Sequence, residues 1–518
     1  MGPKRRGKKT MESKQLNEAK EPLIKDDLKT TKQDAKGDMG NIILLVILYL
    51  LQGVPLGLSF GSIPYILKSK LNYSDLALFS LSSYPYSLKL LWSPIVDSTF
   101  FKSIGRRKSW IIPIQFILGL FLIYMGSKIN RYLELDEIPV TLLAISFTLM
   151  VFLCATQDIA VDGWAISLLT DENKAYASTA QTVGLNTGYF LSFTVFLAFN
   201  SPEFCNKYIL SSPMEEGLIS LGGYLQFWGF AFLVCNFWLV FFKTEVPDGE
   251  DEESISSVYK IIFDIIQMPH MKTFTFILLI AKIGFMANEA VTGLKLLELG
   301  FNKEYLALSV LIDFPLQMVF GYYAAKWSSG DKPLLPWLVG FYGRLFAALA
   351  GMAVVYAYPK EGVTDIYMAV VLFATVLGSF FNTIQFVGMG SYFTKISDPA
   401  IGGTYMTLLN TLSNLGGTWP KYFVFLAVDY FTDAPCSVLS QDGSSIKCSD
   451  NKSKETCISL GGKCSFISDG YYLVNTGCFL FGLLTLIFYI QPAIVKLQKI
   501  PDQQWRLKSK KKVLVKMK

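Results

Sequence analysis

Residues Ala155–Ala165 read ATQDIAVDGWA, which sets Asp158 and Asp162 inside a stretch otherwise apolar enough to cross a membrane. Four residues apart, the two carboxylates share one helix face. A charge at the centre of a bilayer costs about 2.5–3.5 kcal/mol on insertion scales, so this face must meet protein, water or a passing solute. The same apolar composition continues outward: of 518 residues, 52% are hydrophobic, 14% aromatic and 17% charged, against about 25% charged in soluble domains. Windows of about 20 apolar residues recur about twelve times. They begin near Asn41, Ser74, Ser109, Pro139, Ala175, Leu218, Thr273, Tyr305, Leu334, Asp365, Ile401 and Gly470. In lipid each must satisfy its own backbone hydrogen bonds, which favours helices over a barrel. The expected fold class is an all-α membrane protein with twelve transmembrane helices.

The polar segment from Lys243 to Ser257 divides the spans six and six, and its core EVPDGEDEES is too charged to pack. The expected organisation is a disordered cytosolic tail (1–40), a six-helix half (41–243), a linker (244–272), a second half (273–495) and a basic tail (496–518). Within the linker, SVYKIIFDIIQMP has the apolar spacing of a helix lying on the inner membrane surface. Tail 1–40 reads as a Lys-rich polar segment, not as a signal peptide. Lys and Arg at both ends place both termini in the cytosol by the positive-inside rule. The net charge of +6 is thus an orientation signal. Held in tails, it makes no folded basic face, so nucleic acid is not an expected partner.

The two halves read as repeats. An offset of 227 aligns Thr156 with Thr383, Gly163 with Gly390 and Asp171 with Asp398; an offset of 229 aligns Tyr176 with Tyr405, Gln181 with Asn410 and Gly188 with Gly417. Duplicated halves with a solute held between them near the midplane suit a secondary transporter.

Cys205, Cys436, Cys448, Cys457 and Cys464 fall in loops on the expected lumenal side and are disulfide candidates, with connectivity open. Four of them lie in loop 431–469 and lack the paired CxxC grouping of a zinc site, so no metal is expected. Sequons start at Asn451 and Asn72, and both are candidate glycosylation sites on the lumenal side.

Cations inside spans need an anion or water. Lys89, mid-span in SYPYSLKLLWSP, leads the solute-binding candidates, followed by Arg344 and Lys282. Lys282 and Glu289 share a face, so a structural ion pair through an intermediate group is the alternative. Arg and Lys make the charge-assisted bonds that replace phosphate hydration. Tyr86, Trp92 and Phe386 can stack a base or simply pack. The amides Gln52, Gln157, Gln385, Asn410 and Asn414 need interhelical partners or solute contacts. Asp158 and Asp162 admit a structural network with Arg106, Arg107 or the linker, proton coupling, or solute contact.

Between spans two and three runs WSPIVDSTFFKSIGRRKSW, with Asp97, Gly105, Arg106 and Arg107. It resembles the signature loop of the major facilitator superfamily. That resemblance implies a gate network of acid and arginines closing the cytosolic side; a positive-inside anchor is the alternative. Taken together, ATQDIAVDGWA, QGVPLGLSFGSIP (52–64), SLKLLWSPIVD (87–97), SIGRRKSW (103–110), AKIGFMANEAVTGLKL (281–296) and SDPAIGGTYMTLLNTLSNLGGTWP (397–420) resemble the acetyl-coenzyme A transporter family of the endoplasmic reticulum membrane. This implies passage of acetyl-coenzyme A into the lumen for acetylation reactions, with exchange against coenzyme A as a mechanism by analogy. No cofactor is expected, the partners are the solute and the bilayer, and homo-oligomerisation is left open.

Two rivals remain. A permease for peptides or other organic anions shares the QDI…D…W pattern. A membrane-bound acetyltransferase would need an acid or base at the thioester, and the single histidine, His270 in the MPHMK turn, is poorly placed for that. The expectation is a carrier without covalent chemistry.

Overall fold

The computed structural model describes residues 38–507, apart from 136, 171, 172, 174, 246–254, 329–331, 333, 360, 361, 399, 400, 440–444, 449, 450 and 466. Most of both tails and of the acidic linker core therefore lies outside the described residues. Twelve long helical segments follow one another: α1 (Asp38–Lys68), α2 (73–98), α3 (Lys108–Glu134), α4 (Val140–Leu168), α5 (Tyr176–Asn200), α6 (Leu221–Phe242), α7 (Pro269–Glu298), α8 (Lys303–Ser328), α9 (Leu334–Tyr356), α10 (Asp365–Ile396), α11 (Gly402–Phe431) and α12 (Gly470–Leu497). Among the described residues nine of these are long and apolar enough to cross a membrane by length and composition; α2, α8 and α11 are the others. Pro85 and Pro94, lacking N–H donors, accompany the breaks in α2, which tightens into 3-10 turns at Leu81–Ser83 and Lys89–Leu91.

Packing follows a pseudo-two-fold pattern. In the first half α3 lies along α6, and in the second α9 packs on α12. Between halves α2 packs on α11 and α5 on α8, while α1 meets α7. Shifting each helix number by six interchanges these pairs, as expected of duplicated halves. Small residues permit the closest crossings. A Cβ on Gly53 of α1 would overlap the Leu185 carbonyl of α5, and one on Gly188 would overlap the Leu50 carbonyl, so only glycine allows these backbones to touch.

The bundle has two distinct ends. At one, the loop between α2 and α3 carries Asp97 and Arg107; this is the Arg107 end. The linker contributes a helix there, Ile255–Gln267, which buries Ile262 and Ile265 and exposes Phe263. Tyr259 donates to the Leu91 carbonyl at 2.6 Å, fastening this helix to α2.

At the opposite, hairpin end, β1 (Pro435–Leu439) pairs antiparallel with β2 (Ser445–Lys447), and a short helix (Asn451–Ser459) follows. Disulfides Cys436–Cys457 and Cys448–Cys464 staple this insertion between α11 and α12. Cys205 is not a bridge partner, contrary to expectation: it is a buried free thiol facing the Phe199 carbonyl at 3.3 Å. The four hairpin cysteines satisfy one another, leaving Cys205 no sulfur to meet. Asn72 also differs from a free sequon. It is the N-cap of α2 and accepts from Asp75 N at 2.8 Å, while Ser74 of the same sequon donates to Asp429 at 2.6 Å. The side chain of Asn451 lies outside the described set.

The halves are fastened by charge at the hairpin end. Glu298 of α7 receives Lys68 of α1 at 3.6 Å, Lys295 at 3.6 Å, Lys454 of the hairpin helix at 3.3 Å and the Tyr73 hydroxyl at 3.2 Å. Lys295 also reaches Asp469 at 2.7 Å. Nearer the middle, Ser87 and Thr418 are 2.6 Å apart and Tyr84 donates to the Trp419 carbonyl at 3.3 Å.

Candidate solute cavity and gates

A cavity of about 620 Å³, counted out to its open mouth, lies in the second half between the bundle middle and the Arg107 end. Its mixed polar and aromatic lining suits a small-molecule site. Lys282 of α7, Arg344 of α9, Gln385 of α10 and Asn410 and Asn414 of α11 all line it, with Trp337, Phe386 and Phe393 as its aromatic walls. No carboxylate is among the described lining residues. Five of the sequence-derived candidates thus converge from four helices on one space.

The two cations there are held differently. Arg344 is paired: its guanidinium donates to Glu289, at 2.9 Å from Nε, and to the Gln385 oxygen, and it stacks 3.6 Å from the Phe285 ring centroid, with two of its five N–H donors left over. Lys282 donates to the Ser413 carbonyl at 2.9 Å and has no carboxylate partner among the described residues. The alternative of a Lys282–Glu289 ion pair is not the arrangement seen, because Arg344 takes the glutamate. An ammonium has three donors, so Lys282 keeps hydrogens for an incoming anion.

Lys89, Tyr86 and Trp92 do not line this cavity. They turn toward α4 of the first half. Lys89, in the 3-10 turn of α2, pairs with Asp158, and its ammonium lies 3.7 Å from Asp162. Tyr86 donates to Asp158 at 3.4 Å. Tyr49 and Gln181 each donate to Asp162 at 2.8 Å. Trp92 donates from Nε1 to Thr156 at 3.1 Å and packs on Phe152. The acidic pair is thus tied to α1, α2 and α5, not to Arg106, Arg107 or the linker. Asp158 is fully buried and its Oδ1 has no partner among the described residues. The repeat offset of 227 relates Asp158 to Gln385, and each accepts from a cation: Lys89 in one half, Arg344 in the other. Gln52 and Gln157, read as needing interhelical partners or solute contacts, are buried with neither amide atom hydrogen-bonded among the described residues.

At the Arg107 end, Arg107 binds Asp97 at 2.5 Å and its guanidinium rests on Gly163, where any Cβ would overlap it. The last glycine of the ATQDIAVDG stretch is thus the cradle for the Arg107 guanidinium. Gly105 has φ +107°, a left-handed conformation open to glycine. Arg106 stays outside the carboxylate network, 5.4 Å from the Phe100 ring centroid.

Several interacting groups were not foreseen. Glu245, in a segment read as too charged to pack, accepts from Arg107 N at 2.9 Å and Lys108 N at 2.8 Å, capping α3. A carboxylate at a helix N-terminus meets unsatisfied N–H groups and the positive dipole end, and its position at the start of the linker, directly after α6, was the available signal. Asp38 likewise accepts from Thr170 N at 2.9 Å. Lys68, Glu298 and Lys421 were visible as charges within or beside spans. His270 sits edge-on to Trp505, 4.5 Å between centroids.

A family model described as acetyl-coenzyme A transporter 1 matches residues 41–250, 247–335 and 330–507. An uncharacterized membrane protein of Saccharomyces cerevisiae is 40% identical over 550 aligned positions, covering 91% of this chain and 98% of the yeast one. An uncharacterized protein of Schizosaccharomyces pombe is 42% identical, covering 91% and 89% of the two chains. Among solved structures, a point mutant of the nucleoside transporter NupG superposes with a TM-score of 0.58 at 10% identity, covering 88% of this chain and 99% of that one. The likeness identifies the fold as that of major facilitator transporters.

Proposed function

The chain belongs to the acetyl-coenzyme A transporter family, and from that premise we propose that it carries acetyl-coenzyme A from the cytosol into the endoplasmic reticulum lumen by alternating access. Membership makes it a membrane transporter and not an enzyme. The observation that carries the substrate reading is the acid-free cavity in which Lys282 and Arg344 are joined by four side-chain amides, those of Asn382, Gln385, Asn410 and Asn414, and aromatic walls. Ammonium and guanidinium groups suit phosphates, amides suit the pantetheine and base edges, and aromatic faces suit adenine. The N-terminal acids, which would repel a phosphorylated solute, stand outside the cavity and hold Lys89.

In this reading the Arg107 end is cytosolic and the disulfide-bonded hairpin is lumenal, in keeping with the positive-inside rule and an oxidising compartment. The hairpin-end seal closes the lumenal side, and Asp97, Gly105 and Arg107 form the cytosolic gate. Coenzyme A returning outward would complete an exchange cycle.

The test uses purified protein in sealed proteoliposomes with acetyl-coenzyme A labelled separately in the acetyl group and the adenine. Joint entry of both labels, accelerated by coenzyme A inside, is expected. Entry of acetyl label alone would establish transacetylation and reject the carrier.

A further inference from the structure

Lys421 lies in α11, one residue after Pro420, within the hairpin-side half of the bundle. It is partly buried and has no ion pair or hydrogen bond among the described residues; its nearest ring contact is Phe425, 5.8 Å from ammonium to centroid. An ammonium inside a span without a counter-ion requires an explanation. The acids of the hairpin-end seal do not supply one: Glu298 and Asp469 are taken by lysines, and Asp429 by Ser74.

Lys421 lines a second, narrow pocket, about 250 Å³ when counted out into open solvent, together with Ser59 of α1 and Ser80, Ser82 and Ser83 of α2. Ser59, Ser80 and Ser83 donate to backbone carbonyls. The Ser82 hydroxyl has no such bond among the described residues. A cation and a hydroxyl without such a bond thus line one pocket from opposite halves of the molecule.

Position along α11 links this cavity to the larger one. Asn410, Asn414, Gly417 and Lys421 recur at four, three and four residues, so they form one helical stripe. The first two line the larger cavity, and Gly417 lies beside Lys282. Lys421 stands about 10 Å further along the helix from Asn414. Between the two cavities, Ser87–Thr418 and Tyr84–Trp419 bridge the halves. Separation of α2 from α11 would break both bridges and join the cavities.

We infer that Lys421 and Ser82 form a second anion subsite on the hairpin side of the path, which takes a phosphate group as the solute passes beyond Lys282. The inference rests on the transport reading for the solute but not for the subsite's chemistry. The shared chemistry is a phosphate oxyanion, carried by the solute or free.

The deciding measurement is site-resolved mass spectrometry of lysine acylation in the purified full-length protein, using a small amine-reactive ester. Inorganic phosphate or acetyl-coenzyme A should lower labelling of Lys421 at least three-fold relative to sodium gluconate at equal ionic strength. Protection by acetyl-coenzyme A alone assigns the subsite to solute phosphate; protection by inorganic phosphate alone assigns it to a free anion. Labelling unchanged by either would overturn the subsite, as would a Lys421 that never reacts, since a group on the path must be reachable. In proteoliposomes, Lys421→Gln should lower turnover at least ten-fold with KM within three-fold of wild type, and Lys421→Arg should restore at least a third. Equal loss in both variants would reject a role for the charge. Wild-type protein that takes up no acetyl-coenzyme A, while phosphate still protects Lys421, removes the substrate reading and leaves the subsite.

Discussion

The guanidinium of Arg107 lies directly against the backbone of Gly163, in the space that any other residue at 163 would fill with its Cβ. This contact joins the loop after α2 to the helix carrying Asp158 and Asp162, and it leaves Arg107 aimed at Asp97. The Arg107–Asp97 pair and the acidic pair therefore both bear on α4.

Gly163→Ala should displace Arg107 from Asp97. The atoms met are the far end of a flexible side chain, which can swing aside, so the thermal transition should stay close to that of wild type. Transport should fall at least ten-fold if the arginine must sit there to close the gate. Unaltered uptake by a stably folded Gly163→Ala protein would remove this contact from the gating cycle.

Lys89→Met should be more harmful than the paired replacement. Asp158 is fully buried, and removing one partner of a buried ion pair destabilises by about 3–5 kcal/mol, whereas replacing both with apolar groups is often neutral. Thermal unfolding of Lys89→Met, Asp158→Leu and the double variant forms a cycle. The double variant should be closer to wild type than either single one; simple additivity would mean the pair is not energetically coupled.

The two cations of the larger cavity should respond differently to neutralisation. Lys282→Gln removes a donor that has no acid to abandon, so folding should persist while KM for acetyl-coenzyme A rises. A hydrogen bond to a charged group is worth about 1.5–3 kcal/mol, or roughly ten- to hundred-fold. Arg344→Gln strands Glu289 and should lower stability first. A Lys282→Gln protein with unchanged KM would exclude that ammonium from the binding site.

The helices and their number were readable because a membrane imposes length and apolarity on each segment, and six-by-six division follows from where charge accumulates. Residue type also marked the cavity's charged and amide groups, apart from Asn382: such groups inside spans are few, and Lys282, Arg344, Gln385, Asn410 and Asn414 converge on one space. Partner choice was not readable. Periodicity gives the face of a helix but not its neighbour, which is why Lys89 was assigned to a solute and the structure gives it to Asp158. Glu245 was hidden by its acidic surroundings, although its cap on α3 depends on one carboxylate alone. Lys421 met the same criterion as Lys89, a cation inside an apolar stretch, but only the packing of α2 on α11 shows what it faces.

Thiol chemistry should separate Cys205 from the hairpin. Denatured without reductant, the protein should expose four free thiols, those of Cys154, Cys205, Cys235 and Cys478. Cys205→Ala should lower the count by one. Cys448→Ser should instead raise it by one, by freeing Cys464, and should destabilise the hairpin by about 2–4 kcal/mol. A count below four in wild type would place Cys205 or another of these thiols in a bridge.

Glu298 should control the hairpin-end seal. It gathers Lys68, Lys295 and Lys454 from α1, α7 and the hairpin helix, so Glu298→Gln leaves Lys68 without its acid and unfastens the hairpin from α7. Lys295 retains Asp469, which limits the damage to the contact between halves. If opening that end already separates Lys68 from Glu298, only the sealed conformer loses the interaction, and the balance shifts toward the opened one. A shift of about 1.4 kcal/mol changes the ratio ten-fold, within reach of a buried ion cluster. Hydrogen exchange should then quicken in residues 73–80 and 290–298 and stay unchanged at the Arg107 end. Equal acceleration at both ends would mean that Glu298 supports the whole bundle and not one gate.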